Sequence, residues 1–128
     1  MRMHGIPGFF AALVLAVALL LTQGFTAAGP GAVTPEAGKE MIRQQEALVI
    51  LDVRNPNEYV VANYPGSLNI PVNELEARLA EIPSGTPVLV HCAKGRRAVR
   101  AYEILKEHRP DIKELYYING DPLFESAP

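Results

Sequence analysis

Two stretches of the chain, "ALVILDV" at 47–53 and "PVLVHC" at 87–92, are nearly unbroken apolar runs rich in branched residues. Neither alternates between apolar and polar, so neither reads as a strand with one wet face. Short runs of this kind are strands covered by protein on both sides. Helical segments surround them. Thr34 suits an N-cap, Pro35 a first turn and Glu36 the positive end of a helix. Ala37, Met41 and Ile42 give that helix an apolar side, and Gly38 predicts that it is short. Asn55 and Pro56 open a second short helix, and Pro65-Gly66 marks a turn. "NELEARLAEI", 73–82, places Leu75, Leu79 and Ile82 on one helical face. "RRAVRAYEILKEH", 96–108, predicts a helix with Val99, Ile104 and Leu105 toward the core. "SLNIP" and "ELYYIN" predict further strands, the second with one of Tyr116 and Tyr117 inside and the other on the surface. Strands alternating with helices make an α/β fold: a central parallel sheet with helices on both faces. Ligands in such sheets sit beyond the carboxyl ends of the strands. Asp52, Arg54 and Cys92 all fall there.

The start of the chain has a different character. Arg2 and His4 precede an apolar run from Phe9 to Leu21, and small and polar residues follow in "TQGFTAAGPG". That order describes a secretory signal peptide, residues 1–28, with cleavage after Ala28. The run falls short of the roughly 20 apolar residues of a comfortable membrane span. Retention as an N-terminal anchor is the alternative. Residues 29–33 then read as a linker and 34–128 as one domain, large enough for a single core. The expected location is outside the cytoplasm, in the periplasm. A net charge of −2 implies neither nucleic acid nor an acidic membrane as partner.

Cys92 is the only cysteine in the chain. It cannot form an internal disulfide, and an odd thiol in an exported chain points to an intermolecular bond or a reactive sulfur. A buried cysteine acting as a small hydrophobe is the bland alternative. The neighbours weigh on the choice. "AKGRR" joins a buried strand to a helix as a tight loop, and Gly95 permits backbone angles that other residues resist. Such a loop can turn successive N–H groups inward as an anion nest at a helix N-terminus. Nearby cations and a helix N-terminus both favour a thiolate, so the sequence predicts an ionised sulfur at neutral pH. Lys94, Arg96 and Arg97 need not all point at it; any one alone reads more readily as solvation of a surface turn, and it is their clustering beside an unpaired cysteine that favours function. His91 is adjacent in sequence, but neighbours on a strand face opposite ways. It is therefore not expected to act as a base for Cys92.

"LDVRNPNEYVVANYPGSLNIP", 51–71, and "VLVHCAKGRRA", 88–98, resemble the two signature segments of the rhodanese family. The resemblance runs from "TPEAGKEMI" to "YYINGD" and is greatest to the small, exported, single-domain members. It implies a rhodanese-like fold and a sulfurtransferase in which Cys92 is the nucleophile and persulfide carrier. It implies that Ala93, Lys94, Gly95, Arg96 and Arg97 form the cradle, with Arg97 matching the arginine at the loop's end. Lys94 and Arg96 would draw in a small anionic sulfur donor, thiosulfate or a persulfide, and the acceptor would be thiophilic, cyanide or a thiol. Asp52, Arg54 and Glu58 match a supporting network of ion pairs and hydrogen bonds. The reading calls for no metal and no cofactor.

Spacing weighs against one relative of that fold. Phosphatases that share it use a loop one residue longer, which would place the arginine at position 98, an alanine here. Two other readings remain: a non-enzymatic sulfur carrier or partner-binding module, and a thiol redox partner, the latter weakened by the lack of a second cysteine. The chain also departs from the family pattern. Asn63 stands where histidine is common, Ser67 where alanine is, and Ala98 where serine is. There is no tryptophan, and Phe124 is the candidate to fill its place.

Overall fold

The computed structural model describes residues 31–125. The expected signal segment, 1–28, lies outside them. In chain order the elements are β1 (Ala32–Val33), α1 (Pro35–Gln44), β2 (Val49–Asp52), α2 (Pro56–Val61) and β3 (Leu68–Asn69). A 3-10 segment (Val72–Glu81), β4 (Val88–His91), α3 (Arg96–His108) and β5 (Leu115–Ile118) follow. All strand pairings are parallel, in the order β1-β5-β4-β2-β3. The two apolar runs of the sequence are thus neighbours, with β4 at the centre. Ala32–Val33, assigned to the linker from sequence, instead form an edge strand against Tyr117 and Ile118. Among the described residues no helix is long and apolar enough to cross a membrane.

The sheet has a core on each face, as unalternating strands require. Leu51, Val88 and Val90 pack with Leu75 and with Ala98, Ala101 and Leu105 of α3. Ile50 and Leu89 point the other way, toward Val33, Met41 of α1 and Ile118. This double covering explains a departure from expectation. Tyr116 and Tyr117 are both half-buried, each against a different core, because neither face of β5 is open to water.

The helices show where periodicity misleads. α3 spans the predicted residues, but its buried stripe is Ala98, Ala101, Tyr102 and Leu105, while Val99 is 38% exposed. The i, i+3, i+4, i+7 spacing of those four is one helical face, and Val99 lies beside it. The segment at 72–81 is 3-10 rather than α, broken at Arg78 (φ −124°, ψ 18°). Leu75 and Ile82 are still buried, and Leu79 is half-buried. The guanidinium of Arg109 closes its end, donating to the carbonyls of Leu79 (2.6 Å) and Ile82 (2.8 Å).

α1 is capped as expected, with Thr34 Oγ1 accepting from the Ala37 N–H at 3.1 Å. It nevertheless runs for ten residues, through Gly38. A Cβ at Gly38 would sit 2.7 Å from Cδ1 and 2.8 Å from Cγ1 of the fully buried Ile118. The glycine therefore lets α1 lie close on β5 instead of ending the helix. Replacing it should cost stability, opposite in sign to glycine replacement in an exposed helix. Gly38→Val is expected to lower the unfolding free energy by about 1–3 kcal/mol, the usual range for overpacking, measured as a lower urea midpoint. An unchanged or raised midpoint would show that the contact is slack.

Candidate functional site

Asp52 and His91 are register partners at the ends of β2 and β4, so the chain leaves the sheet at both places side by side. One exit leads to Arg54 and α2, the other to Cys92 and α3. Cys92 is 1% exposed, at the floor of the loop 93–97. Its Sγ accepts hydrogen bonds from the backbone N–H of Gly95 (3.0 Å) and of Ala98 (3.3 Å). These donors belong to the opening of a helix of 13 residues, whose first N–H groups have no partner within the helix. Donors aimed at a fixed point inside low-dielectric surroundings stabilise negative charge there.

Gly95 makes this geometry available. It adopts φ +102°, in the left-handed region, and a Cβ there would lie 3.0 Å from the Gly120 N atom. Any side chain would meet both a backbone penalty and the neighbouring strand exit.

None of the three cations is hydrogen-bonded to the sulfur. Arg97 donates from Nη1 and Nη2 to Glu58 Oε2 (2.7 Å) and Oε1 (2.9 Å). Glu58 Oε2 also accepts from the Asn55 N–H at 2.8 Å, at the start of α2. The bonds from Arg97 chiefly hold the Glu58 carboxyl down at about 2; burial opposes this, and the Asn55 N–H adds to it. Lys94 Nζ lies 3.9 Å from Asp121 Oδ1, with both side chains mostly exposed, so this pair contributes little. Arg96 is exposed. The loop's inward face is thus made of amides, and its basic side chains form an outer rim.

Asp52 and Arg54 form a buried ion pair. Arg54 Nε donates to both carboxylate oxygens (3.0 and 3.1 Å) and Nη2 to Oδ2 (2.7 Å). Nη2 also donates to the Ala62 carbonyl at 2.6 Å, and the Arg54 N–H to Asp52 Oδ1 at 3.0 Å. Losing one partner of such a pair strands the other, at a cost of about 3–5 kcal/mol. Of the three residues expected to form one network, Asp52 and Arg54 do so, while Glu58 ties α2 to the Cys92 loop.

Several participants were not singled out from sequence. Ala98 donates to Sγ although the expected cradle ended at Arg97. Asn69 Nδ2 bridges the carbonyls of Asp52 (3.0 Å) and Arg54 (2.9 Å). Tyr64, 4% exposed, accepts at its hydroxyl from the Leu123 N–H at 2.8 Å. Its ring packs on Phe124 at 4.8 Å and on His91 at 5.0 Å. Phe124 also lies under the Arg54 guanidinium at 4.8 Å, so it packs beside the Asp52–Arg54 pair. The strength of the first signature was the only sequence signal for Tyr64 and Asn69, which both lie within it. Asn63 is a turn residue, donating to the Tyr59 carbonyl at 2.9 Å.

His91 sits on the opposite side of the sheet from Cys92, as strand alternation requires. It is wholly buried, and neither ring nitrogen has a hydrogen-bond partner. Its nearest carboxylate oxygen, Asp52 Oδ2, is 3.6 Å away, beyond hydrogen-bonding range.

Comparison with known proteins agrees with this architecture. The family profile described as "Rhodanese-like domain" matches residues 34–121. YrkF of Bacillus subtilis, a candidate sulfur carrier protein, is 38% identical over 72 residues, 56% of this chain and 39% of YrkF. The match therefore spans about two fifths of that relative's length. The thiosulfate sulfurtransferase PspE of Escherichia coli is 39% identical over 59 residues, 44% of this chain and 57% of PspE. The crystal structure of a rhodanese-like domain protein from Staphylococcus aureus superposes with a TM-score of 0.62 at 20% identity, covering 77% of this chain and 99% of that one. That likeness concerns the fold.

His91 generates a pH prediction. Burial pushes its pKa down from the ordinary 6.5 to about 4; Asp52 opposes this, and Arg54 adds to it. Between these two values the unfolded chain binds a proton that the folded chain does not, so stability falls as pH drops. Glu58 and Asp111 are lowered to about 2 from 4.5 and 3.8, so their losses begin near those ordinary values, at or below the foot of this window. Between pH 6.5 and 4.5 the expected loss is about 2–3 kcal/mol, followed by chemical denaturation at each pH. His91→Phe should flatten that slope. A slope persisting in the variant would assign it to another group.

Proposed function

The chain belongs to the rhodanese-like domain family, whose matched relatives include sulfurtransferases and sulfur carriers, and from that premise we propose that it transfers sulfane sulfur through Cys92. The observation that carries the reading is the pair of backbone N–H groups directed at a lone, buried sulfur from the start of α3. A cysteine serving only as a small hydrophobe has no use for two convergent donors and a left-handed glycine.

In the proposed cycle the Cys92 thiolate attacks the outer sulfur of thiosulfate. The S–S bond of the donor breaks, sulfite leaves with the bonding pair, and Cys92 carries a persulfide. Cyanide then attacks the outer sulfur; thiocyanate leaves and the Cys92 thiolate returns. Each intermediate on the protein is an anion, and the N–H groups of Gly95 and Ala98 that converge on the sulfur support its stabilisation there. Ala93 to Arg97 form the cradle, and the outer rim of Lys94 and Arg96 raises the local concentration of an anionic donor. We further propose that this happens outside the cytoplasm, on the strength of the N-terminal leader. N-terminal sequencing of protein recovered from the exported fraction tests that, and a chain starting at Met1 in the cytosol would refute it.

The main test is intact mass after incubation with thiosulfate. The wild type should gain one sulfur atom, Cys92→Ser none, and cyanide should remove it as thiocyanate. No gain from thiosulfate or any persulfide donor would refute the reading. A stable adduct without cyanide turnover would identify a sulfur carrier, the role attached to YrkF.

A further inference from the structure

Three large apolar side chains stand exposed among the described residues: Val60 (75%), Val61 (83%) and Val99 (38%). Val60 and Val61 end α2, and Val99 lies in the first turns of α3, the helix that the Cys92 loop leads into. None of the six residues of α2 is buried, yet α2 is tethered to that loop by the Glu58–Arg97 pair. Val61 is one helical turn from Glu58, and Val99 is one turn from Arg96 along α3. Charge is distributed unevenly in the same region. Arg96 and Arg100 lie four apart on α3, flanking Val99, and among the described residues neither makes an ion pair. Lys94 adds a third positive charge, opposed by Asp121 at 3.9 Å. This rim is basic although the chain as a whole carries −2.

A donor of a few atoms needs the cations but makes no use of exposed valines. We propose that the surface formed by α2, the loop rim and the first turns of α3 docks an acidic protein that presents an apolar-flanked thiol, and that this thiol is the acceptor of the Cys92 sulfur. The inference rests on the function proposed above. In the transfer, the partner's thiolate attacks the outer sulfur of the Cys92–S–S⁻ persulfide. The S–S bond to Cys92 breaks, Cys92 leaves as the thiolate, and the partner carries the sulfur away as R–S–S⁻. Opposite charges would steer the encounter and set its register, while the valines are covered on contact.

The test uses two synthetic peptides, each with one cysteine between leucines, flanked by glutamates in one and by lysines in the other. The full chain is loaded with thiosulfate, and loss of the Cys92 persulfide to each peptide is timed by mass spectrometry. Cyanide serves as the acceptor that needs no docking. The glutamate peptide is expected to react at least about tenfold faster than the lysine peptide at low salt, with the difference shrinking as salt rises. Arg100→Glu and Val60→Ser/Val61→Ser should each slow the glutamate peptide several-fold and leave the cyanide rate unchanged. Equal peptide rates, or variants without effect, would overturn the docking surface while leaving sulfur transfer intact. Sedimentation showing a dimer that Val60→Ser/Val61→Ser dissociates would reassign the surface to a second copy of this chain. Failure to form any persulfide would remove the function and the docking inference together.

Discussion

The site depends on two backbone N–H groups pointing at one sulfur. They can do so because β4 ends at His91, the chain turns through a left-handed Gly95, and α3 begins at once. The free donors of the helix N-terminus then converge on Cys92 instead of on water. Backbone dipoles are well suited to this task. They are fixed by the fold, need no counter-ion, and suffer no titration over the working pH range. The basic side chains of the loop add a field from farther out, where water weakens it.

What holds this arrangement is a set of links between separate segments. Arg54 joins β2 to the end of α2 through Asp52 and the Ala62 carbonyl. Asn69 ties β3 to the same exit. Glu58 carries the connection from α2 to Arg97 in the first turn of α3. Beyond β5, Gly120 lies against Gly95, and Phe124 covers Arg54, His91 and Tyr64. The Asp52–Arg54 pair is costly to bury and brings limited net stability. Its use lies in geometry: it fixes the platform from which Glu58 restrains the loop.

Much of this was legible in the sequence for physical reasons. Unalternating apolar runs disclosed strands buried on both faces, and the change from strand to helix after Cys92 disclosed the loop. Caps at Thr34 and Asn55 are local chemistry, so they appear in the sequence as they do in the structure. What escaped was decided by tertiary neighbours. Val99 and Leu105 look alike in a sequence, but α3 turns only one of them inward. Gly38 reads as a helix weakener until Ile118 is seen pressed against it. Two residues of apparent linker become a strand because β5 offers an edge. Ala98 contributes a backbone N–H, which no residue identity could advertise. The end of the 3-10 segment is likewise closed by Arg109, far along the chain, which donates to the carbonyls of Leu79 and Ile82.

The central claim is that the amides of this loop hold the negative charge on sulfur. Their proton and nitrogen resonances report that charge directly. In spectra of isotope-labelled protein recorded before and after loading with thiosulfate, the signals of Gly95 and Ala98, with others of the loop 93–98, are expected to show the largest shifts in the chain and to return when cyanide is added. A protein that takes up sulfur while those amides stay unmoved would contradict the account.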